Sequence, residues 1–139
     1  MIDFQINPAL MGGKVKTVSP DGTVKINLNG RLGVLTVPAD FVLNNERIAE
    51  GSRLRFYFSY VKVVENAPQY DPYDFNADYG IRPTLIGGIF TEVNDTAVKI
   101  TVMDGKGTIA VPRRWIFTDK TPEENLQCEM YLSRMEIIN

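Results

Sequence analysis

The chain has 139 residues, of which 44% are apolar and 23% are charged, and this composition excludes a largely disordered protein. The net charge of −2 argues against a protein that coats nucleic acid over its whole surface, because such binding requires Lys and Arg to neutralise phosphates. The sequence has no histidine and one cysteine, which excludes an intramolecular disulfide, the usual catalytic triads and most zinc sites.

The N-terminal residues, Met1 to Phe4, lack the basic residues and apolar stretch of a secretion signal. The apolar runs are also much shorter than the ~18 residues that span a bilayer. We therefore expect a soluble cytoplasmic protein that does not contact a membrane.

The first half of the chain aligns with the second half. Residues 8–64 match residues 83–138 with one gap, at Gly22. This self-similarity indicates an internal duplication. The identical positions include Gly12/Gly87, Gly13/Gly88, Val24/Val98, Lys25/Lys99, Gly33/Gly107, Val37/Val111, Pro38/Pro112, Tyr57/Tyr131 and Ser59/Ser133.

In chain order, the alternation of Ile2, Phe4 and Ile6 predicts a short lead-in strand, with Tyr79 and Ile81 at the matching places of the second copy. A strand then follows each Gly-Gly pair, over residues 14–18 and 89–93. Residues 23–28 and 97–102 alternate with period two, which is typical of a half-buried strand. The pairs Asn29-Gly30 and Asp104-Gly105 predict tight hairpins that return as strands 33–38 and 107–112, with Leu35, Val37, Ile109 and Val111 facing inward.

The end of each copy is less regular. Residues 39–50 predict either an irregular segment or one short helix, and Thr121-Pro122-Glu123-Glu124 in the second copy has the N-cap, proline and acidic residues of a helix start. Residues 53–64 are rich in aromatic and β-branched side chains and predict a strand. Residues 126–138 are ambiguous alone, and the alignment onto residues 53–64 favours a strand there too.

These elements predict an all-β fold with one short helix per repeat, arranged as two tandem small Greek-key barrels of the OB or SH3-like type. The first barrel would comprise residues 1–64 and the second residues 83–139. A unit of this size is marginally stable alone, so we expect the two barrels to pack together.

Residues 65–82, ENAPQYDPYDFNADYGIR, form an acidic, aromatic linker between the repeats. Its aromatic residues are Tyr70, Tyr73, Phe75 and Tyr79, and they predict that it lies against a barrel surface. Asp74 to Asp78 resembles the start of a calcium loop. However, Gly80 comes one position too late and Leu85 stands where the bidentate glutamate belongs, so no metal site is expected.

No catalytic residue, cofactor or metal is indicated, and we expect a protein that is not an enzyme. Cys128, the only thiol, aligns with Leu54 and is predicted to be a buried structural residue. Trp115 aligns with Phe41 and is predicted to belong to the core. The Gly-Gly pairs precede strands rather than helices, which excludes a phosphate-binding loop.

Charge is unevenly distributed between the two copies. Residues 8–64 carry a net charge of +4, whereas residues 83–139 carry −2. Alternating basic positions in the first copy, with one aromatic residue in line, predict either an ordinary solvated sheet face or a nucleic-acid-binding strip. The candidate binding residues are Lys14, Lys16, Lys25, Arg53, Arg55 and Tyr57.

The pattern of Gly13-Lys14-Val15, Asp21-Gly22, residues 24–28, residues 33–35 and Gly51 resembles the ribosomal S-one motif, an OB-fold RNA-binding module. This resemblance implies an OB barrel and single-stranded RNA as the ligand. The stacking aromatics of that family are absent, because Thr23, Lys25 and Asn27 occupy the outward places of the second strand.

Two functions are therefore expected. The first is a non-catalytic tandem module that binds single-stranded RNA through the basic first repeat. The alternative is a protein–protein interaction or assembly module that binds no nucleic acid, with the linker or a sheet edge as its contact.

Overall fold

A computed structural model describes residues 5–71 and 81–138, and these residues form an all-β structure. Within them no α-helix occurs, and no helix is long and apolar enough to cross a bilayer. The lead-in residues Met1 to Phe4, the linker residues Tyr73, Phe75 and Tyr79, and the calcium-like stretch at residues 74–78 lie outside the described residues.

The strand at residues 116–117 was not predicted, and the described lead-in residues Ile6 and Ile81 lie outside any strand. The other segments predicted as strands contain strands, with two each in residues 53–64 and 126–138. In the first half the strands are β1 (Ala9–Val18), β2 (Thr23–Leu28), β3 (Val34–Pro38), β4 (Arg53–Phe58) and β5 (Val61–Val63). In the second half they are β6 (Thr84–Val93), β7 (Ala97–Val102), β8 (Gly107–Pro112), β9 (Ile116–Phe117), β10 (Gln127–Leu132) and β11 (Glu136–Ile137).

Both Gly-Gly pairs lie within long strands, β1 and β6, and do not begin them. Glycine is required at Gly13 because a Cβ there would come 2.7 Å from the Ile26 side chain. Gly88 has the same relation to Ile100.

The predicted short helices are not formed. Residues 39–50 contain only two three-residue 3₁₀ turns, Ala39–Phe41 and Asn45–Arg47. Residues 121–124 are irregular, although they carry helix-start residues. Few residues separate β9 from β10, and a helix shorter than about 12 residues is marginal without packing to support it.

The strands form one sheet that closes into a ring. The order around the ring is β4-β1-β2-β3-β8-β7-β6-β10, and a β10–β4 pairing closes it. All pairings in this ring are antiparallel. Strands of both halves therefore contribute to a single closed sheet, and the prediction of two separate barrels is not confirmed.

The physical reason is that the strands of one half leave two edges unpaired, at β3 and at β4. Unpaired edges expose backbone donors and acceptors, and the other half supplies partners for both. The buried side chains accordingly form one continuous core. Leu35, Val37, Ile109 and Val111 are all buried in it, as their alternation predicts.

The two halves are paired in matching registers. Gly13 faces Leu28 in β1–β2, and Gly88 faces Val102 in β6–β7. An irregularity interrupts β1 between Val15 and Thr17, and β6 has its counterpart between Phe90 and Glu92. Residues that align in sequence thus occupy equivalent places in the sheet.

Two pairs of aligned residues face each other directly where the halves meet. Leu35 is opposite Ile109 in the β3–β8 pairing, and Phe58 is opposite Leu132 in the β4–β10 pairing. When equivalent residues face each other across an antiparallel pair, a two-fold axis passes between them. Each of the two pairings, β3–β8 and β4–β10, thus has a local two-fold axis between aligned residues.

The last strand of each half pairs with the other half. β5 lies along β10, with Val63 opposite Cys128, while β11 lies along β4, with Ile137 opposite Leu54. This exchange extends the β4–β10 junction in both directions. It joins the halves over a longer stretch than the single pair of residues at the crossing.

Candidate anion-binding face

The six predicted binding residues lie on three adjacent strands, β2, β1 and β4. Lys14 and Arg53 are cross-strand partners, and both are exposed. Lys16 and Arg55 are also exposed. Successive side chains on one face of a strand are about 6.6 Å apart, and neighbouring strands are about 4.8 Å apart. We call the outer surface formed by Lys14, Lys16, Lys25, Arg53, Arg55 and Tyr57 the basic face.

Two members of the basic face are less accessible than the sequence predicts. Lys25 is half-buried, between Thr17 of β1 and Thr36 of β3. Tyr57 is half-buried beside its cross-strand partner Leu10, which is 52% exposed. The tyrosine therefore offers part of its ring, while Leu10 adds an apolar contact at the same end of the face.

Arg55 forms an ion pair with Glu136 of β11. The arginine side chain is 51% exposed, so the pair is screened by water and adds little to stability. Glu136 is the acidic residue that the strand exchange brings to the basic face. Because it lies far along the chain from Arg55, the sequence pattern of the first repeat could not reveal it.

The equivalent face of the second half has a different chemistry. Of the six positions, two retain their character, Lys25 as Lys99 and Tyr57 as Tyr131. The other four become uncharged or acidic: Lys14 aligns with Ile89, Lys16 with Thr91, Arg53 with Gln127 and Arg55 with Glu129. The two ion-paired positions carry the opposite charges in the second half. Arg55 aligns with Glu129, and Glu136 aligns with Lys62, which stands opposite Glu129.

The described part of the linker lies against this second face, as its aromatic composition predicts. The Ala67 N–H donates to Oε1 of Gln127 at 2.8 Å. Tyr70 is partly buried, and its pKa is raised by burial and then by the carboxylates of Asp40, Asp104 and Asp71. A cavity of about 370 Å³ lies between the linker and β6.

Cys128 is fully buried, as predicted. Burial, followed by the nearby Glu129 carboxylate, raises the pKa of its thiol to about 12. Burial therefore favours the protonated thiol near neutral pH.

Trp115 packs against the core at its margin and is half-buried. Its Nε1 donates to the Ser59 carbonyl at 2.9 Å, and its ring centroid is 4.0 Å from that of Tyr60. Tyr60 also stacks on Phe117, at 4.4 Å. These rings contact one another, which favours a structural role for them.

Among residues 5–71 and 81–138, no group of three or more Cys, Asp and Glu residues is arranged to hold a metal ion. Comparison of the chain with protein-family models finds no match, and neither does comparison with curated proteins.

Proposed function

We propose that this protein is a non-catalytic β-sheet module that binds single-stranded nucleic acid, RNA in particular, through the basic face. The observation that carries the proposal is the gathering of five cations on three adjacent strands of a chain whose net charge is −2. Such a group of cations on an acidic protein favours contact with a polyanion at this face.

The chemistry of the basic face fits a backbone contact better than a base-reading contact. Lys and Arg bind phosphates without regard to sequence. Tyr57 offers one partly exposed ring, whereas strong single-strand binders stack several bases on aromatic side chains. We therefore expect modest affinity, weak sequence preference and a steep dependence on salt.

The test is fluorescence anisotropy with a labelled oligouridine, comparing the wild type with Lys14→Ala/Lys16→Ala and Arg53→Ala/Arg55→Ala. The matched control is Lys99→Ala/Lys106→Ala, which removes two exposed lysines from the second half. With about four phosphate contacts to a single strand, the wild-type affinity falls roughly 50-fold between about 50 and 200 mM salt. Each basic-face double variant lowers the salt slope by about two, and the control leaves it unchanged.

A dissociation constant weaker than ~10⁻⁴ M at low salt, the typical upper limit of nonspecific binding, contradicts the proposal. Equal losses in the control and in the basic-face variants also contradict it, because they indicate a response to total charge.

A second candidate is a protein-interaction module, which the exposed apolar side chains of Leu85 and Ile89 on the second face favour. Sedimentation velocity over a range of concentrations tests self-association through that face. Leu85→Ser/Ile89→Ser is expected to abolish any association that depends on it, whereas a monomer at every concentration excludes self-assembly.

A further inference from the structure

The exchanged strands β5 and β11 carry charged contacts between the two halves. Among the cross-strand pairs that join the halves within the described residues, two have a charged residue on both strands. One is Arg55 of β4 opposite Glu136 of β11, and the other is Glu129 of β10 opposite Lys62 of β5. Directly opposed side chains of an antiparallel pair have Cβ atoms about 5 Å apart, so opposite charges there attract and like charges repel.

The two charged pairs occupy equivalent places in the sheet, but their charges are exchanged. Arg55 aligns with Glu129, and Lys62 aligns with Glu136. The first half therefore contributes two cations to these contacts, and the second half contributes two anions. At these positions, each half meets the opposite charge only in the other half.

The apolar and hydroxyl contacts at the junctions do not distinguish one half from the other. Leu35 faces Ile109, and these aligned residues are both large and apolar. Ser59 and Ser133 are identical in the two copies, and each accepts a backbone N–H of the opposite half. A like half from a second copy of the chain could therefore supply the same apolar and hydrogen-bonding contacts as the native partner.

Charge is what changes when a half meets a like half. If the first half of one copy paired with the first half of another in the native registers, Arg55 would face Lys62. If two second halves paired in the same way, Glu129 would face Glu136. Both arrangements place like charges directly opposite each other, which is destabilising.

We propose that these exchanged charges select the partner of each half, so that a first half pairs with a second half and rejects a like half of another copy. The inference is independent of the proposed function. The Arg55 side chain is 51% exposed, and such a pair adds little to stability. It still discriminates, because specificity depends on the difference between attraction in one pairing and repulsion in the other.

The selection is needed during folding. Each half alone leaves strand edges unpaired, at β3 and β4 in the first half, and unpaired edges pair readily with other chains. Repeated sequences are prone to this kind of misassembly, because similar segments offer similar partners. Two pairs of opposite sign bias every such encounter towards the native combination.

The test exchanges charges within the full-length protein and keeps its net charge at −2. Lys62→Glu/Glu129→Lys reverses one pair, and Arg55→Glu/Glu136→Arg separately reverses the other. Either exchange retains the attraction between opposite halves, but it also makes the contacts between like halves attractive. The control combines all four substitutions, which gives the first half two anions and the second half two cations, so that like halves repel again.

Each protein is unfolded in urea, refolded over a range of concentrations and analysed by sedimentation velocity. Each two-residue exchange is expected to raise the dimer fraction after refolding by about tenfold over the wild type, because four cross-strand pairs become attractive when both halves of two copies pair with like halves. The four-residue exchange is expected to return the fraction to the wild-type level. Circular dichroism and the urea midpoint verify that the monomers fold equally well. If one two-residue exchange does not fold, the other decides the outcome.

Two results would overturn the proposal. If both two-residue exchanges refold with the same dimer fraction as the wild type, the charges do not select the partner. If the four-residue exchange associates as strongly as the two-residue exchanges, the association comes from the altered side chains and not from the pairing of charges. Dimers in which two copies trade opposite halves keep opposite charges paired in every variant, so the wild type provides the baseline for them.

Discussion

Ser59 and Ser133 close the ring with their side chains. The Tyr57 N–H donates to Ser133 Oγ, and the Tyr131 N–H donates to Ser59 Oγ, both at 2.8 Å. Each hydroxyl in turn donates to the carbonyl of the next residue, Tyr60 or Arg134. Both serines are buried, so these bonds satisfy backbone groups at the β4–β10 junction that water cannot reach.

Ser133→Ala is expected to destabilise the protein by about 1–3 kcal/mol, because it leaves the Tyr57 N–H without its acceptor. Ser59→Ala is expected to have a similar effect through Tyr131, since the two bonds are equivalent. Urea unfolding measures both changes, with the exposed Thr121→Ala as the control. If either serine variant matches that control, the hydroxyl bond does not contribute to stability at the junction.

At this scale, the sequence reveals which residues recur but not what they contact. Ser59 and Ser133 are identical positions of the alignment, yet the N–H groups from which their hydroxyls accept belong to the opposite half. The alternation of Lys14, Lys16, Arg53 and Arg55 predicts a shared outer face, and the structure places them on adjacent strands.

The β3–β8 pairing is the other junction between the halves, and Gly33 marks its beginning. Gly33 has a φ of +117°, and a Cβ on it would come 1.8 Å from the Ala110 carbonyl oxygen. Two backbones approach each other there more closely than any side chain allows. On the other strand, Gly107 is buried against the Thr36 carbonyl oxygen, 3.1 Å from where its Cβ would stand.

Gly33→Ala is expected to destabilise the protein by about 3 kcal/mol or more, because the added methyl group forces β3 and β8 apart. The control is Gly51→Ala, which has a φ of +88° and no atom within 4 Å of the added carbon. Backbone strain alone costs the control about 1–2 kcal/mol. Urea midpoints at constant m-value report the difference, and equal losses would mean that the close approach is unimportant for joining the halves.

At the scale of elements, the strands were predictable and their partners were not. Period-two alternation and the Asn-Gly and Asp-Gly pairs locate β2, β3, β7 and β8, because these signals are local. The exchange of β5 and β11 between halves leaves no local signal, since it depends on which edges remain unpaired. The helix-start residues at 121–124 failed as a signal because no packing supports a helix there.

The uneven distribution of charge between the two outer faces is a property of the whole molecule. The ring places the basic face on one half and the linker on the corresponding face of the other, so the two halves present different outer surfaces although their strand registers match. Sequence comparison of the two repeats predicts the uneven charge. It could not predict that both repeats share one core, because two small closed barrels and one larger ring require the same alternation of apolar residues.

A single shared core predicts a single unfolding transition. Leu35 and Ile109 lie opposite each other in the β3–β8 pairing, and both are buried. Leu35→Ala and Ile109→Ala are each expected to cost about 2–5 kcal/mol. Because the halves share the core, each variant should shift the same cooperative transition.

Trp115 fluorescence and far-ultraviolet circular dichroism should therefore give one midpoint in each variant. Hydrogen exchange at the Ile26 and Ile100 amides should report equal losses of protection in the two halves. Two separate transitions, or a Leu35→Ala variant that leaves the Trp115 midpoint unchanged, would instead indicate that each half folds as its own unit.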